Sequence, residues 1–582
     1  MKTSIRFMFL TATLIALFAL SACGADDPAE PATGQGAQAP VTGDPATTST
    51  LSSNPLLSQH GLDDNLRFVE PRTISVAMWN RSHERIPNFS ESYWAEWIEA
   101  QMLEEHNIIV EWIQVPRWED AEYMSALLAG GMAPDISYTF NNPMVDTFAA
   151  MGGVMNLSPL LADYRDLLLP NLYDLLTETN VYWNVDPETN NLFSLTGRLI
   201  TDGRINTFVR EDWLDTLNIA PPTTLEQFED MLVAFRDNAD TLLGAADANR
   251  MIPFLLGHDV SWTGDPILTS FIPHNITERE WFVYGFDDRR FTQPGIKEGV
   301  RVLNRWFDMD LLWNDFFLHP AGDPITDDQK KLGFVGAFSH NWDYPFRASE
   351  SIIVDMRDNV GEHANFMVVT PFQNDAGVVR KQMPNPTDRF IFFPTTNTEP
   401  IASLIYLDWI SRADVREFLQ FGHEGVHRRT HPNGAIEVLG ETETHSWPDH
   451  QFIPSLRNFD ILITVNGIDL GDDYITAATL ALGYPGIAPE QVMAARAAGM
   501  DNAWVARRVV HPPIIAEEGL ATPLQDQRDV ILHQVIAATS PADFDATWDT
   551  MMASYMNMGA QAIINERNQF WLNTFGDVDS MP

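Results

Sequence analysis

The chain has 582 residues, of which 45% are hydrophobic and 17 are tryptophan, enough to build a large core divided over at least two domains. Its formal net charge of -44 at pH 7 would repel DNA, RNA and anionic lipid surfaces, so we expect no nucleic-acid partner. The single cysteine excludes an intrachain disulfide, and stability must therefore come from core packing.

The N-terminus has the pattern of a bacterial lipoprotein signal. Lys2 and Arg6 precede an apolar stretch that is short for a membrane span, and Ser-Ala then precedes Cys23. We predict a signal peptide over residues 1–22 and a lipid on Cys23 that anchors the protein to the cell membrane. The alternative is an ordinary secretory signal with a cysteine near its cleavage site. Residues 23–70 predict a flexible tether, because the segment after the cysteine is mostly Ala, Pro, Thr, Gly, Gln and Asp.

Strands and helices alternate in the next part of the chain. Residues 73–79, 108–115 and 136–140 have the composition of strands, and residues 94–102 and 118–129 have apolar side chains at helical spacing. This alternation predicts a mainly parallel sheet covered by helices. Ligands bind at the ends of the strands in such sheets.

A second block with the same character begins near residue 204. Residues 205–209 predict a strand, and amphipathic helices follow around 225–235, 296–307 and 544–556. The methionine and aromatic stripes of these helices are typical of a core rather than of a cofactor site.

Several phrases occur in the order found in one protein family. They are Leu-Leu-Ala-Gly-Gly-Met-Ala-Pro-Asp-Ile at 127–136, Gly-Gly-Val-Met-Asn-Leu-Ser-Pro-Leu at 152–160, Arg-Glu-Asp-Trp-Leu at 210–214 followed by Pro-Thr-Thr-Leu-Glu-Gln-Phe at 222–228, and Gly-His-Glu-Gly-Val-His at 422–427. Together they resemble the family 1 extracellular solute-binding proteins that serve ABC importers of carbohydrates, in particular the larger members associated with oligosaccharides.

The resemblance implies an α/β, two-lobed periplasmic-binding-protein-like fold with a hinge and an interlobe ligand cleft. It implies an extracytoplasmic monomer that binds a carbohydrate, delivers it to ABC permease subunits and needs no cofactor. The expected lobes are 71–196 with about 384–454, and 197–383 with about 455–582. The expected crossings between them lie near Thr196, Met383 and Pro454.

An enzymatic alternative is a zinc protease, because residues 423–427 match His-Glu-x-x-His. That motif binds zinc on a regular helix, where the two histidines share a face. Here Gly422 and Gly425 disfavour a helix, and Arg428 and Arg429 place positive charge beside a would-be cation. We therefore predict a structural loop and no catalytic residues.

Other functions remain open. A glycosidase would need two placed carboxylates, which a sequence this acidic cannot single out. A peptide or another polar solute could occupy the same architecture, and a lipoprotein used only for adhesion would not close a cleft. Some relatives hold calcium in a loop equivalent to residues 237–247, but apolar residues interrupt the oxygen donors here, so we predict no metal.

The candidate ligand-binding residues follow strands or lie in turns, where a sugar could find aromatic plates for its C–H faces and polar groups for its hydroxyls. They are Trp79, Asn80, Asn141, Asn142, Arg204, Trp262, Trp342 and Asp343. The resemblance supports the two turns that contain Trp262 and Trp342, because relatives carry stacking aromatics in similar places.

Overall fold

A computed structural model describes most of the chain from residue 50 onward. The described residues are 50–581 except for 81–87, 117–119, 141, 177–180, 182–183, 187–188, 201–202, 288, 321–322, 348–349, 384–386, 440–461, 485, 508, 510, 513 and 518. The predicted signal peptide and Cys23 lie outside the described residues.

The helices and strands are numbered in chain order. Helices α1 to α21 are Pro55–Ser58, Tyr93–His106, Asp120–Ala129, Asn142–Ala150, Ser158–Leu168, Glu211–Leu217, Leu225–Asp237, Ala239–Leu243, Val260–Thr263, Asp265–Ser270, Glu278–Tyr284, Ile296–Asp308, Ile325–Lys331, Ile352–Val360, Pro400–Ile410, Ala413–Phe421, Asp473–Leu482, Pro489–Met500, Ala521–Ile536, Pro541–Tyr555 and Gln561–Phe575. Strands β1 to β14 are Arg72–Asn80, Ile108–Pro116, Ser137–Thr139, Leu195–Leu199, Ile205–Arg210, Ile252–Leu255, Val335–Asn341, Phe366–Val369, Lys381–Gln382, Thr387–Phe392, Arg428–Thr430, Ile436–Val438, Val465–Asn466 and Ala503–Trp504.

The first lobe contains two small sheets around one core. Strands β1 and β2 pair in parallel, and helix α2 joins them, beginning at the Ser92 cap and ending at Asn107 in the left-handed conformation. The second sheet has the order β13-β4-β10-β3, and helix α15 is buried along nearly its whole length. Leu57, Leu62 and Phe68 are buried in the same core, so the folded part of the chain begins before residue 70, where the tether was expected to end.

The second lobe is built on the sheet β6-β7-β5-β8, which is buried on both faces. Neighbouring residues of β5 enter different clusters, Phe208 on one face and Val209 on the other, because successive side chains of a strand alternate between faces. The cluster around Val209 includes Trp306 of α12 and Trp548 of α20. The amphipathic stripes at 296–307 and 544–556 therefore contribute to the core, as predicted.

The expectation of mainly parallel sheets holds only in part, because both four-stranded sheets are mixed. Strands β1 and β2 are parallel, but β10 is antiparallel to β3 and β4, and β5 is antiparallel to β7 and β8. Strand β10 enters the first lobe after the chain returns from the second, so no local strand-helix-strand unit fixes its direction.

The chain passes between the two sheets more than once. Strand β4 lies in the first lobe and β5 in the second, and after β9 the chain returns to β10 of the first lobe. The crossing expected near Pro454 lies outside the described residues. Within the described residues, no helix is both long and apolar enough to cross a membrane.

Candidate functional site

Arg204, Trp262 and Arg289 come together at one end of the strands in the sheet of the second lobe. Arg204 immediately precedes β5, and Trp262 lies in the short helix α9 that follows β6. The guanidinium carbon of Arg204 is 5.0 Å from the centroid of the Trp262 ring, and that of Arg289 is 4.6 Å away. These three side chains form a cation–π group in which the indole is partly exposed, and we call it the Trp262 cluster.

Asp259 positions two members of the Trp262 cluster. Its carboxylate accepts the backbone N–H of Trp262 at 3.1 Å and the Ser261 hydroxyl at 2.6 Å, which caps helix α9. Its second oxygen lies 3.3 Å from Nη2 of Arg289. One carboxylate therefore fixes the start of the helix and the guanidinium that lies over the indole.

His340 borders the Trp262 cluster at the end of β7. Its ring centroid is 6.4 Å from that of Trp262, and it stacks on Tyr344 at 3.5 Å. Burial, followed by the nearby charge of Lys330, lowers the pKa of His340 to about 3. Nδ1 accepts the backbone N–H of Asn341 at 2.9 Å, so in the neutral ring the proton lies on Nε2.

A small basic depression adjoins the Trp262 cluster and shares Arg204 with it. Its charged lining residues are Arg204, Arg380, Lys381 and Asp265, and its volume is about 20 Å³. Asp265 forms a buried ion pair with Arg290. The charged residues of the lining are therefore mostly basic, in a chain whose overall charge is strongly negative.

Lys381 is buried beside the depression. Its Nζ donates to Oδ1 of Asn206 at 2.7 Å and to the carbonyl oxygen of Ala498, but burial lowers the pKa of the ammonium group to about 8. The folded protein therefore binds the proton of Lys381 less tightly than the unfolded chain does.

This pKa difference predicts a pH dependence of stability. Between about pH 8 and the ordinary lysine pKa of 10.5, Lys381 is protonated more often in the unfolded chain than in the folded protein. The contribution of Lys381 to the free energy of unfolding should therefore rise with pH, by about 3 kcal/mol in total. Urea unfolding at pH 7.5 to 10 should show that the Lys381→Met variant lacks this rise. Lys331→Met is the control, and an identical slope in wild type and Lys381→Met would contradict the prediction.

Trp342 and Asp343 lie deeper in the second lobe than the Trp262 cluster. The Trp342 side chain packs in the core cluster that contains Phe338 and is only 7% exposed. Asp343 accepts hydrogen bonds from Arg347 at 2.7 Å and from the Tyr484 hydroxyl at 2.9 Å. In this conformation both residues make internal contacts.

The candidate residues of the first lobe lie at the end of β1 and after β3. Trp79 is 3% exposed and packs against Tyr138, with the Arg389 guanidinium carbon 5.1 Å from its ring centroid. Asn80 donates to Gln114 at 2.7 Å. Of the two asparagines after β3, Asn141 and the side chain of Asn142 lie outside the described residues, although Asn142 is the first residue of α4.

Sequence reasoning missed Arg289, Arg380, Lys381 and His340. The first two arginines lie in loops with no periodic pattern, and only the fold brings them to the start of β5. The scarcity of lysine could have drawn attention to Lys381, because it is one of only five lysines in the chain. The structure shows that it is buried.

The segment that matches the zinc-protease pattern is a turn between α16 and β11. Nδ1 of His427 accepts the backbone N–H of His423 at 3.0 Å, and the His427 side chain is buried. The Glu424 carboxylate accepts the backbone N–H and the hydroxyl of Thr430. The two histidines therefore do not share a helical face, which the zinc motif requires.

The loop considered for calcium is partly helical. Asp237 is 2.8 Å from Arg236, and Asp247 is 3.4 Å from Arg250, on either side of the short helix α8. Across the described part of the chain, no group of three or more His, Cys, Asp or Glu side chains is arranged to hold a metal ion.

The two lobes and their sheets match solved binding proteins. The alginate-binding protein AlgQ2 superposes with a TM-score of 0.55 at 14% identity, over 86% of this chain and 98% of that structure. The HMO-binding, ABC-transporter-associated solute-binding protein of Bifidobacterium longum infantis gives a TM-score of 0.57 at 14% identity over 86% and 99%. The chain has the two-lobed fold of solute-binding proteins. The solute-binding fold of FusA from S. pneumoniae, in complex with kestose, also superposes at 0.56 and 14% identity over 86% and 99%.

Sequence comparison gives a partial match to a protein described by the polysaccharides that it binds. The polygalacturonan/rhamnogalacturonan-binding protein YtcQ of Bacillus subtilis is 22% identical over 345 residues, which cover 56% of this chain and 62% of YtcQ. The match thus spans less than two thirds of that relative. No family model matches the sequence.

Proposed function

We propose that the chain is the extracytoplasmic substrate-binding component of an ABC transporter, capturing an oligosaccharide and delivering it to the membrane permease. The observation that carries this proposal is the Trp262 cluster. It presents an indole beside guanidinium groups at the strand ends of a solute-binding fold. A pyranose ring has a flat C–H face and a hydroxyl rim, which match an aromatic plate and charged hydrogen-bond donors.

The relatives support a binding function. AlgQ2 is an alginate-binding protein, FusA was solved with kestose, and YtcQ is a polygalacturonan- and rhamnogalacturonan-binding protein. These proteins bind saccharides, and none of these names describes an enzyme. The turn conformation of the His423–His427 segment also favours a binding function over a zinc protease, whose motif requires a helix.

We assign the two lobes different parts of the cleft. Arg204 and Trp262 are the proposed contacts of the second lobe, and Asn80, with Asn141 and Asn142 after β3, are those of the first. The remaining candidates would pack behind these contacts and hold them in place, because their side chains are already packed or hydrogen-bonded. They are Trp79, Trp342 and Asp343. The ligand would thus lie between the strand ends of both lobes.

A ligand screen tests the function. Thermal shift and calorimetry on the full chain should show that neutral or acidic oligosaccharides of three to six units raise the melting temperature, because a ligand that binds only the folded state stabilises it. Assays for reducing ends after incubation should find the ligand intact. Stabilisation by peptides alone would favour a peptide binder, and release of new reducing ends would favour a hydrolase.

The lipid anchor at Cys23 is a separate prediction. The Cys23→Ser variant should lose its membrane attachment and appear in the soluble extracytoplasmic fraction, because the thiol is the expected lipid acceptor. Fractionation and immunoblotting in a bacterial host measure this, with the wild type as the membrane-bound control. A Cys23→Ser protein that stays membrane-bound after a high-salt wash would contradict it.

A further inference from the structure

We propose, resting on the proposed function, that the captured saccharide is anionic and that a ligand carboxylate binds in the basic depression formed by Arg204, Arg380 and Lys381. A uronate-containing oligosaccharide is the class of ligand that carries such a carboxylate on a pyranose ring. The proposal names the chemistry of the ligand, which the fold alone leaves open.

The first support is that the charged residues of the depression are mostly basic, whereas the chain as a whole is acidic. The chain has 80 acidic and 36 basic residues, yet the depression is lined by three basic side chains and one acidic one. The acidic one, Asp265, is already paired with Arg290. At physiological ionic strength the Debye length is about 8 Å, so the acidic surface farther away is screened and the local basic groups dominate what an entering anion experiences.

The second support is hydrogen-bonding capacity. A guanidinium group fits a carboxylate through paired N–H donors, which a neutral hydroxyl cannot use equally well. Nη2 of Arg380 donates to the carbonyl oxygen of His274 at 2.9 Å, whereas its buried Nη1 has no hydrogen-bond partner among the described residues. After a small movement of the Arg380 side chain, a bound anion would satisfy that donor.

The third support is size and position. A volume of about 20 Å³ accommodates a group the size of one or two water molecules, as a carboxylate is, and excludes a pyranose ring. Arg204 lines this depression and also lies over the Trp262 indole. A sugar ring beside Trp262 can therefore place its carboxylate toward Arg204 while the ring itself stays outside the depression.

The decisive test compares one ligand with and without its charge. Calorimetry on the full chain would use oligogalacturonides of three to five units, the same oligomers as methyl esters, and neutral galacto-oligosaccharides of equal length. We expect the acid form to bind at least about tenfold more tightly than its ester, a difference of about 1.4 kcal/mol, and we expect added salt to reduce this preference.

Variants show which residues are responsible for the preference for the acid form over the ester. Arg204→Gln and Arg380→Gln should each reduce the ratio of acid to ester affinity, whereas Arg236→Gln, at a partly exposed position of α7, should leave it unchanged. Circular dichroism would verify folding, and the acid-to-ester ratio of the wild type tests the inference even if a variant is unstable. Equal binding of acid and ester, or preference for the neutral oligomer, would overturn this inference and leave the proposed function standing. Failure of every saccharide to bind would overturn the proposed function itself.

Discussion

Replacing Trp262 with alanine is expected to weaken oligosaccharide binding by about 1–3 kcal/mol, which raises Kd by roughly 5- to 150-fold. The indole is the aromatic plate of the proposed site, and its removal also takes away the ring that the Arg204 and Arg289 guanidinium groups lie over. Trp262→Phe should retain part of the affinity, because a smaller ring keeps an apolar face. Calorimetry with the tightest ligand of the screen gives the measurement.

The matched control for Trp262 is Trp313 in the same lobe. Trp313 is also partly exposed, and it stacks on His319 with 5.0 Å between the ring centroids. Trp313→Ala should leave the affinity unchanged within error, provided that circular dichroism shows a folded protein. If Trp262→Ala is folded and binds as tightly as the wild type, the assignment of the ligand site to these strand ends of the second lobe is wrong.

Replacing Asp327 with alanine is expected to destabilise the folded protein by about 3–5 kcal/mol. The Asp327 carboxylate lies 2.8 Å from the Lys330 ammonium group and accepts the Tyr344 hydroxyl at 2.5 Å. Lys330 is only 3% exposed, so the substitution would leave a buried positive charge without its ion-pair partner. Denaturant unfolding of the wild type and of Asp327→Ala measures the loss.

The adjacent Asp328 provides a control on the same helix. It is exposed, and Asp328→Ala should change the free energy of unfolding by less than about 0.5 kcal/mol. The double variant Asp327→Asn, Lys330→Met should recover much of the lost stability, because it removes both charges together. A small loss in Asp327→Ala, similar to that in Asp328→Ala, would show that Lys330 is stabilised by other groups.

Much of the fold was predictable because it depends on local patterns. The strand-helix alternation in residues 73–140 and the stripe at 296–307 correspond to elements of the structure, and the two-lobed α/β prediction is confirmed by the structural relatives. Strand direction was less predictable. Strand β10 pairs antiparallel to β4, far away in sequence, and periodicity within a strand carries no information about the direction of its partner.

The site was predictable only in part. Arg204 and Trp262 were chosen because each lies next to a strand or in a turn, and the structure brings them into contact. Trp342 has the same local signature, yet it is buried in a core cluster. Whether a turn tryptophan faces a cleft or a core depends on the packing of distant elements, and the sequence of the turn itself does not encode it.

The tautomer of His340 has a consequence for the environment in which the protein works. With its Nδ1 accepting the Asn341 amide and its pKa near 3, this imidazole stays neutral at the acidity of most natural media. Arginine side chains also keep their charge throughout that range. The charges of these protein groups therefore stay the same when the medium becomes acidic, whereas a titrating histidine in the same place would gain a positive charge.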